Sequence, residues 1–254
     1  MKKKAVKTFR KKQDYGKGLK IFLVLAVASL LFVGYVKIFR GGSLRDYEGA
    51  GEKRITETKE RIAEIQESRL DDAKKSERLA AQYAVLGSVY LEKRLWGEAI
   101  DSYYRSIQYG NISAVAHYSL GVAYGNRGAE KADAADFEKA ESSYRKALDM
   151  DGNLVDARYG LALVLFYHRE GGRDEGVSQM EQAVALKPTH YMARFALARF
   201  YYEMGRPEQS LKAYEDLSAD LAKLPSSQLK DEYVKNCDAN IKRLMEELAD
   251  KTGG

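Results

Sequence analysis

The chain has 254 residues and a 45% hydrophobic share, long enough and apolar enough to bury a substantial core. Its formal charge of +5 is concentrated in residues 1–40, where eleven Lys and Arg face one acid, Asp14; the remainder holds 31 basic and 36 acidic side chains, so a folded nucleic-acid-binding face is excluded and no nucleic-acid partner is expected. One cysteine, Cys237, excludes an internal disulfide and a four-thiolate zinc site, leaving packing to hold the fold.

Residues 1–20 form a basic tail with Lys or Arg at nine positions, from Lys2 to Lys20. Residues 21–36 (IFLVLAVASLLFVGYV) carry no charge, and snorkelling of Lys37 extends the run to 21–39. As a helix that run is about 28 Å long, close to the hydrocarbon thickness, which predicts one transmembrane helix and contact with the membrane through residues 21–39. A cleaved signal peptide is the competing reading, but the basic region is long for one and VGYVKIFRGGS offers no small-x-small cleavage site. The positive excess before the span places the N-terminus in the cytoplasm and the remaining chain across the inner (plasma) membrane, in the periplasm of a bacterium.

Residues 40–79 read as a hinge and a helical stalk. Gly41, Gly42, Gly49 and Gly51 predict flexible backbone, and residues 52–79 predict a charged helix with a thin stripe of Ile55, Ile62, Ile65 and Leu70. The stripe either docks on the rest of the chain or pairs with a second copy as a short coiled coil, so a homo-oligomer through the stalk stays open.

Residues 80–224 repeat with a unit of about 34 residues. In residues 80–113, Tyr83, Leu86, Gly87 and Tyr90 precede Ala99, Tyr103 and Ser106; in 114–154, His117, Leu120, Gly121 and Tyr124 precede Ala140, Tyr144 and Ala147. In 155–190, Leu161, Ala162 and Leu165 precede Gly176, Met180, Ala183 and Pro188; in 191–224, Leu197, Ala198 and Tyr201 precede Ser210, Tyr214 and Leu217. The second copy carries seven extra residues around 126–135, and the third two near Gly171 and Gly172. Small residues at Gly87, Gly121, Ala162 and Ala198 let paired helices approach, and the aromatic positions fill the space between turns.

This pattern resembles the tetratricopeptide-repeat family, with departures: no Pro closes the first, second or fourth copy, and the first-position Trp is absent. The resemblance implies an all-α fold, a solenoid of about four helix-turn-helix repeats, here preceded by the transmembrane helix and stalk. It also implies that the first helix of each unit lines a concave protein-binding groove through its positions 2, 5, 9 and 12. Those positions place Ala81, Ala84 and Ser88 in the first copy and make Tyr118, Val122, Tyr159, Leu163, Phe166, Met192, Phe195, Arg199 and Tyr202 the candidate binding residues, with the C-terminal half aromatic and apolar. Family members that grip acidic chaperone tails use Lys, Arg and Asn at positions held here by Ala84, Ser88, Ser119, Asp156 and Gly160, so that ligand is disfavoured. An apolar groove suits an amphipathic helix or an extended segment with aromatic anchors, unless the 52–79 helix or the extra turns of the second repeat already fill it.

Residues 225–254 form a capping helix and tail, with Leu229, Tyr233, Cys237, Ile241, Leu244 and Leu248 in one stripe. His117, His168 and His190 fall in different repeats, and neither a phosphate-cradling glycine loop nor a nucleophilic-serine elbow is present, so no metal, cofactor or catalysis is expected. The sequence thus reads as a membrane-anchored protein-interaction scaffold or adaptor, its repeats held outside the cytoplasm for assembly of an envelope complex of the secretion, envelope-assembly or flagellar-motor-collar type. A chaperone-like biogenesis factor for exported clients, and an import receptor with cytosol-facing repeats, are the alternatives.

Overall fold

A computed structural model describes residues 44–252. The basic tail and the 21–39 span lie outside the described residues, and no helix among those described is long and apolar enough to cross a membrane. The described chain is all α-helical: α1 (Leu44–Glu67), α2 (Asp72–Glu92), α3 (Trp96–Gln108), α4 (Ala114–Lys131), α5 (Ala134–Met150), α6 (Val155–His168), α7 (Arg173–Leu186), α8 (Tyr191–Glu203), α9 (Pro207–Ala222) and α10 (Gln228–Thr252). Each helix packs on its neighbours in the chain, so hairpins α2–α3, α4–α5, α6–α7 and α8–α9 stack side by side.

The helix ends are set locally. Asp71 Oδ1 accepts from the Lys74 N–H at 2.9 Å to cap α2, Ser113 Oγ from Ala116 at 3.2 Å to cap α4, and His190 Nδ1 from Ala193 at 3.1 Å to cap α8. Pro207 opens α9, where its missing N–H costs nothing. Gly205, with φ of 72°, makes the left-handed turn between α8 and α9 that a side chain would strain.

Between the helices, small residues admit rings. Tyr144 of α5 lies where a Cβ on Gly121 would come within 2.6 Å of its Cδ1 and a Cβ on Gly160 within 2.5 Å of its Cζ. The ring is therefore seated in a cradle of two glycines, one from its own hairpin and one from the next. Buried serines tie the pairs together: Ser106 Oγ donates to the Ala80 carbonyl, and Ser210 Oγ to that of Ala198, both at 2.7 Å. One apolar core runs from Ile55 to Phe200, and a second gathers Ala198, Tyr214, Leu217, Leu221, Cys237 and Leu244 beneath α10. Cys237 is fully buried, and burial pushes its thiol up to about 12, as for an inert core residue.

The stalk differs from the sequence reading. The helix expected over 52–79 is two helices: the chain breaks at 68–71, where Ser68 Oγ bonds the Ile65 carbonyl at 2.6 Å and Asp71 caps the next helix. Gly49 and Gly51, expected in a hinge, lie inside α1. Gly51 serves close packing, since a Cβ there would meet Lys93 Cδ at 3.1 Å. The apolar stripe docks on α2, burying Ile55 and Ile62, while Arg54 pairs with Glu92 at 2.6 Å and Lys93 with Glu52. That leaves α1 with a charged outer face, so the apolar seam needed for self-pairing is consumed within the chain.

The extra residues of the second repeat lengthen α4 and α5 instead of forming a loop. Ala132, with φ of 54°, turns the chain. Asp136, 2% exposed, accepts Arg127 Nε and Nη2 at 2.7 and 2.8 Å, a bidentate pair that closes the extended end.

Candidate protein-binding surface

The first helices of the hairpins, α2, α4, α6 and α8, together with α10, share the inner face of the array. Side chains meet across it from one such helix to the next. Tyr159 of α6 packs on His190 at the head of α8, and His190 Nε2 donates to Asp156 at 3.1 Å because Nδ1 is already the cap acceptor. That bond holds the Asp156 carboxyl below its usual range. Tyr167 donates to Glu203 at 3.0 Å and receives Arg199 Nη2 at 3.1 Å.

The candidate residues fall into three groups. Tyr118, Val122, Tyr159 and Met192 are half-buried along this face. Tyr118 leans on Tyr144 with ring centroids 6.2 Å apart, and Met192 belongs to neither apolar core. Burial raises the phenols of Tyr118 and Tyr159, keeping them neutral donors across the physiological range.

Leu163 and Phe166 are corrected to core residues, at 6% and 2% exposure. The central helix α6 is buried on every side from Gly160 to Phe166, and Phe166 stacks on Phe200 at 3.8 Å beneath Arg173. A helix sandwiched between equivalent neighbours loses groove positions that a terminal repeat would expose.

Phe195, Arg199 and Tyr202 are engaged internally. Phe195 meets Tyr214 and Tyr233 edge-on at 5.3 and 5.8 Å. Arg199 pairs with Glu203 at 3.1 Å, and Tyr202 donates to Glu247 at 3.0 Å beneath the guanidinium of Arg243. The C-terminal half of the face, expected to be its open aromatic part, is thus knitted to α10. The open part lies toward the N-terminal half, where Ala81 is exposed and Ala84 and Ser88 are half-buried.

Sequence reasoning missed Tyr167, Glu203, Arg243 and Glu247, and read Tyr233 only as part of the capping stripe. The helical spacing held the signal: Glu203 follows Arg199 by four, and Glu247 follows Arg243 by four. Among the described residues no group of three or more His, Cys, Asp or Glu is placed to hold a metal ion. What the surface offers chemically is neutral phenols, apolar side chains and compensated charge.

Sequence models of the tetratricopeptide repeat match residues 114–154 and 168–230. Among solved structures, MamA superposes with a TM-score of 0.56 at 21% identity over 71% of this chain and 95% of that one. A thermophilic repeat protein of Thermus thermophilus gives 0.55 at 17% identity, over 88% of this chain and 98% of that one. YrrB, described as having an unusual peptide-binding site, gives 0.51 at 17% identity with the same coverage. No curated protein is a detectable sequence relative of the chain.

Proposed function

We propose, proceeding from the premise that this chain is a tetratricopeptide-repeat protein and hence an interaction scaffold, that it is a non-catalytic adaptor whose inner face holds a segment of another protein at a membrane. The observation that carries the reading is the row of half-buried Tyr118, Val122, Tyr159 and Met192 on three consecutive first helices. Such a row presents apolar area without full charges of its own, which suits an extended or helical segment with apolar anchors. The repeats are held outside the cytoplasm by the 21–39 span, with the basic tail inside, and the complex served is one of envelope assembly, secretion or a motor collar.

Affinity isolation of the full-length protein from its native membrane tests the adaptor role. A partner at fixed stoichiometry is the expected result, and a protein recovered alone under conditions that preserve membrane complexes contradicts it. For the location, alkaline phosphatase fused after Gly254 should be active in a bacterial host; an inactive phosphatase, with a fluorescent reporter bright at the same site, reverses the topology.

A further inference from the structure

Asp156 is the exception among the charges of the inner face. Arg199 is met by Glu203 at 3.1 Å and Arg243 by Glu247 at 3.8 Å, so those four side chains compensate one another in pairs. Asp156, in the first turn of α6, has a side chain 55% exposed, and its hydrogen bond among the described residues is to His190 Nε2 at 3.1 Å.

That partner brings no positive charge. His190 is buried, and its Nδ1 accepts the Ala193 N–H, so the ring carries its proton on Nε2 alone and is neutral. The bond from His190 is the main reason the carboxyl sits below its usual range, and Lys187, exposed at the end of α7, adds to it from a distance without forming an ion pair. A full negative charge therefore stands beside the apolar row with no cation on it.

Rings flank that charge. Tyr159 lies one turn further along α6 and Tyr118 on α4; both phenols are raised first by burial and then further by Asp156. Arg199 acts on Tyr159 in the opposite sense, but its own charge is met by Glu203. A carboxylate beside aromatic faces is an arrangement that receives a cation, through a charge-assisted hydrogen bond and through the negative faces of the rings. A wholly apolar segment laid here would strip water from an uncompensated carboxylate, and an acidic one would be repelled.

We propose that the segment held on the inner face carries a lysine or arginine that pairs with Asp156 beside Tyr118 and Tyr159, with apolar side chains next to it for Val122 and Met192. This rests on the inner face being the binding surface. A carboxylate in the first turn of a helix is also favoured by the helix dipole, a role that needs no ligand, so the test reads stability beside binding.

Selection of short random peptides displayed on phage, against the full-length chain in a nonionic detergent at neutral pH, tests the pairing. Wild type, Asp156→Asn and Asp156→Lys are compared; the asparagine keeps an oxygen for His190 Nε2 and removes the charge. Wild type should enrich Lys and Arg next to apolar residues, Asp156→Asn should keep the apolar preference and lose the basic one, and Asp156→Lys should turn to Asp and Glu. A peptide selected by wild type should bind Asp156→Asn roughly tenfold more weakly, at a nearly unchanged melting temperature. Pools of the same charge composition from all three proteins overturn the proposal, as does a wild-type pool without basic enrichment. A lower melting temperature in Asp156→Asn with peptide binding unchanged overturns it too, leaving the helix-terminus role alone. If basic peptides are selected whichever residue stands at 156, Val122→Glu with Met192→Glu separates the two readings: lost selection keeps the inner face and retires only the Asp156 pairing, and retained selection retires both.

Discussion

Tyr144 shows how one side chain sets the spacing of three helices. With a Cβ at Gly121 projected to 2.6 Å from its ring, even the smallest substitution forces the ring or the helix to move. Gly121→Ala should cost roughly 1–3 kcal/mol, the usual scale of overpacking. In a Tyr144→Leu background the added penalty should largely vanish; a denaturant titration finding the same penalty in both backgrounds contradicts the cradle. His168 is the residue-scale test of electrostatics. Its ring stacks on Phe137 at 3.5 Å, and burial lowers its pKa to about 4. A histidine that titrates lower when folded leaves the unfolded state binding more protons between about pH 6.5 and 4. Stability should therefore fall as pH drops through that window, by on the order of 3 kcal/mol at most. His117, lowered by burial and Lys146, acts in the same direction, so the informative quantity is the difference between wild type and His168→Leu. An unchanged pH slope in that variant refutes the assignment.

At the level of elements, α1 departs most from its sequence reading. Its stripe of Ile55 and Ile62 was visible, but which surface it would cover was not, because thin stripes look alike whether they meet their own chain or another. The break at 68–71 was also hidden, since it contains neither Gly nor Pro; the Asp71–Asp72 pair before a helical run was the available signal. If α1 is part of the fold, Ile55→Ala with Ile62→Ala should remove several kcal/mol, at about 2–5 for each buried isoleucine truncated. Hydrogen exchange should lose protection first in α1 and along α2, whereas an independent stalk would leave α2 untouched. By contrast, the hairpins were legible because Gly87 and Ala198 each precede a tyrosine partner by 16 residues, and Gly121 and Ala162 precede Tyr144 and Met180 by that spacing plus their repeats' insertions, a constraint local enough to read from one chain. The groove was less legible. Positions inherited from an average repeat placed Leu163 and Phe166 on the surface, but α6 has neighbours on both sides and buries them.

For the whole molecule, the solenoid presents an inner face of phenols with Val122 and Met192 between them. The C-terminal helix joins the array as a further first helix, engaging Phe195 and Tyr202, so the face open to a ligand is shifted toward the N-terminal hairpins. That shift decides which substitutions can separate binding from folding. Phe195 is a poor probe, since its contacts with Tyr214 and Tyr233 make truncation destabilising. Val122 and Met192 are better ones, both half-buried, with Val122 only bordering the first core and Met192 outside both cores. The most direct measurement is therefore partner recovery from native membranes, alongside the melting temperature, for Val122→Glu with Met192→Glu. Placing two carboxylates on an apolar interface should cost at least about 2 kcal/mol of binding. Loss of the partner with melting nearly unchanged is the predicted result, and full recovery of the partner by the same variant would contradict the inner face as the binding surface.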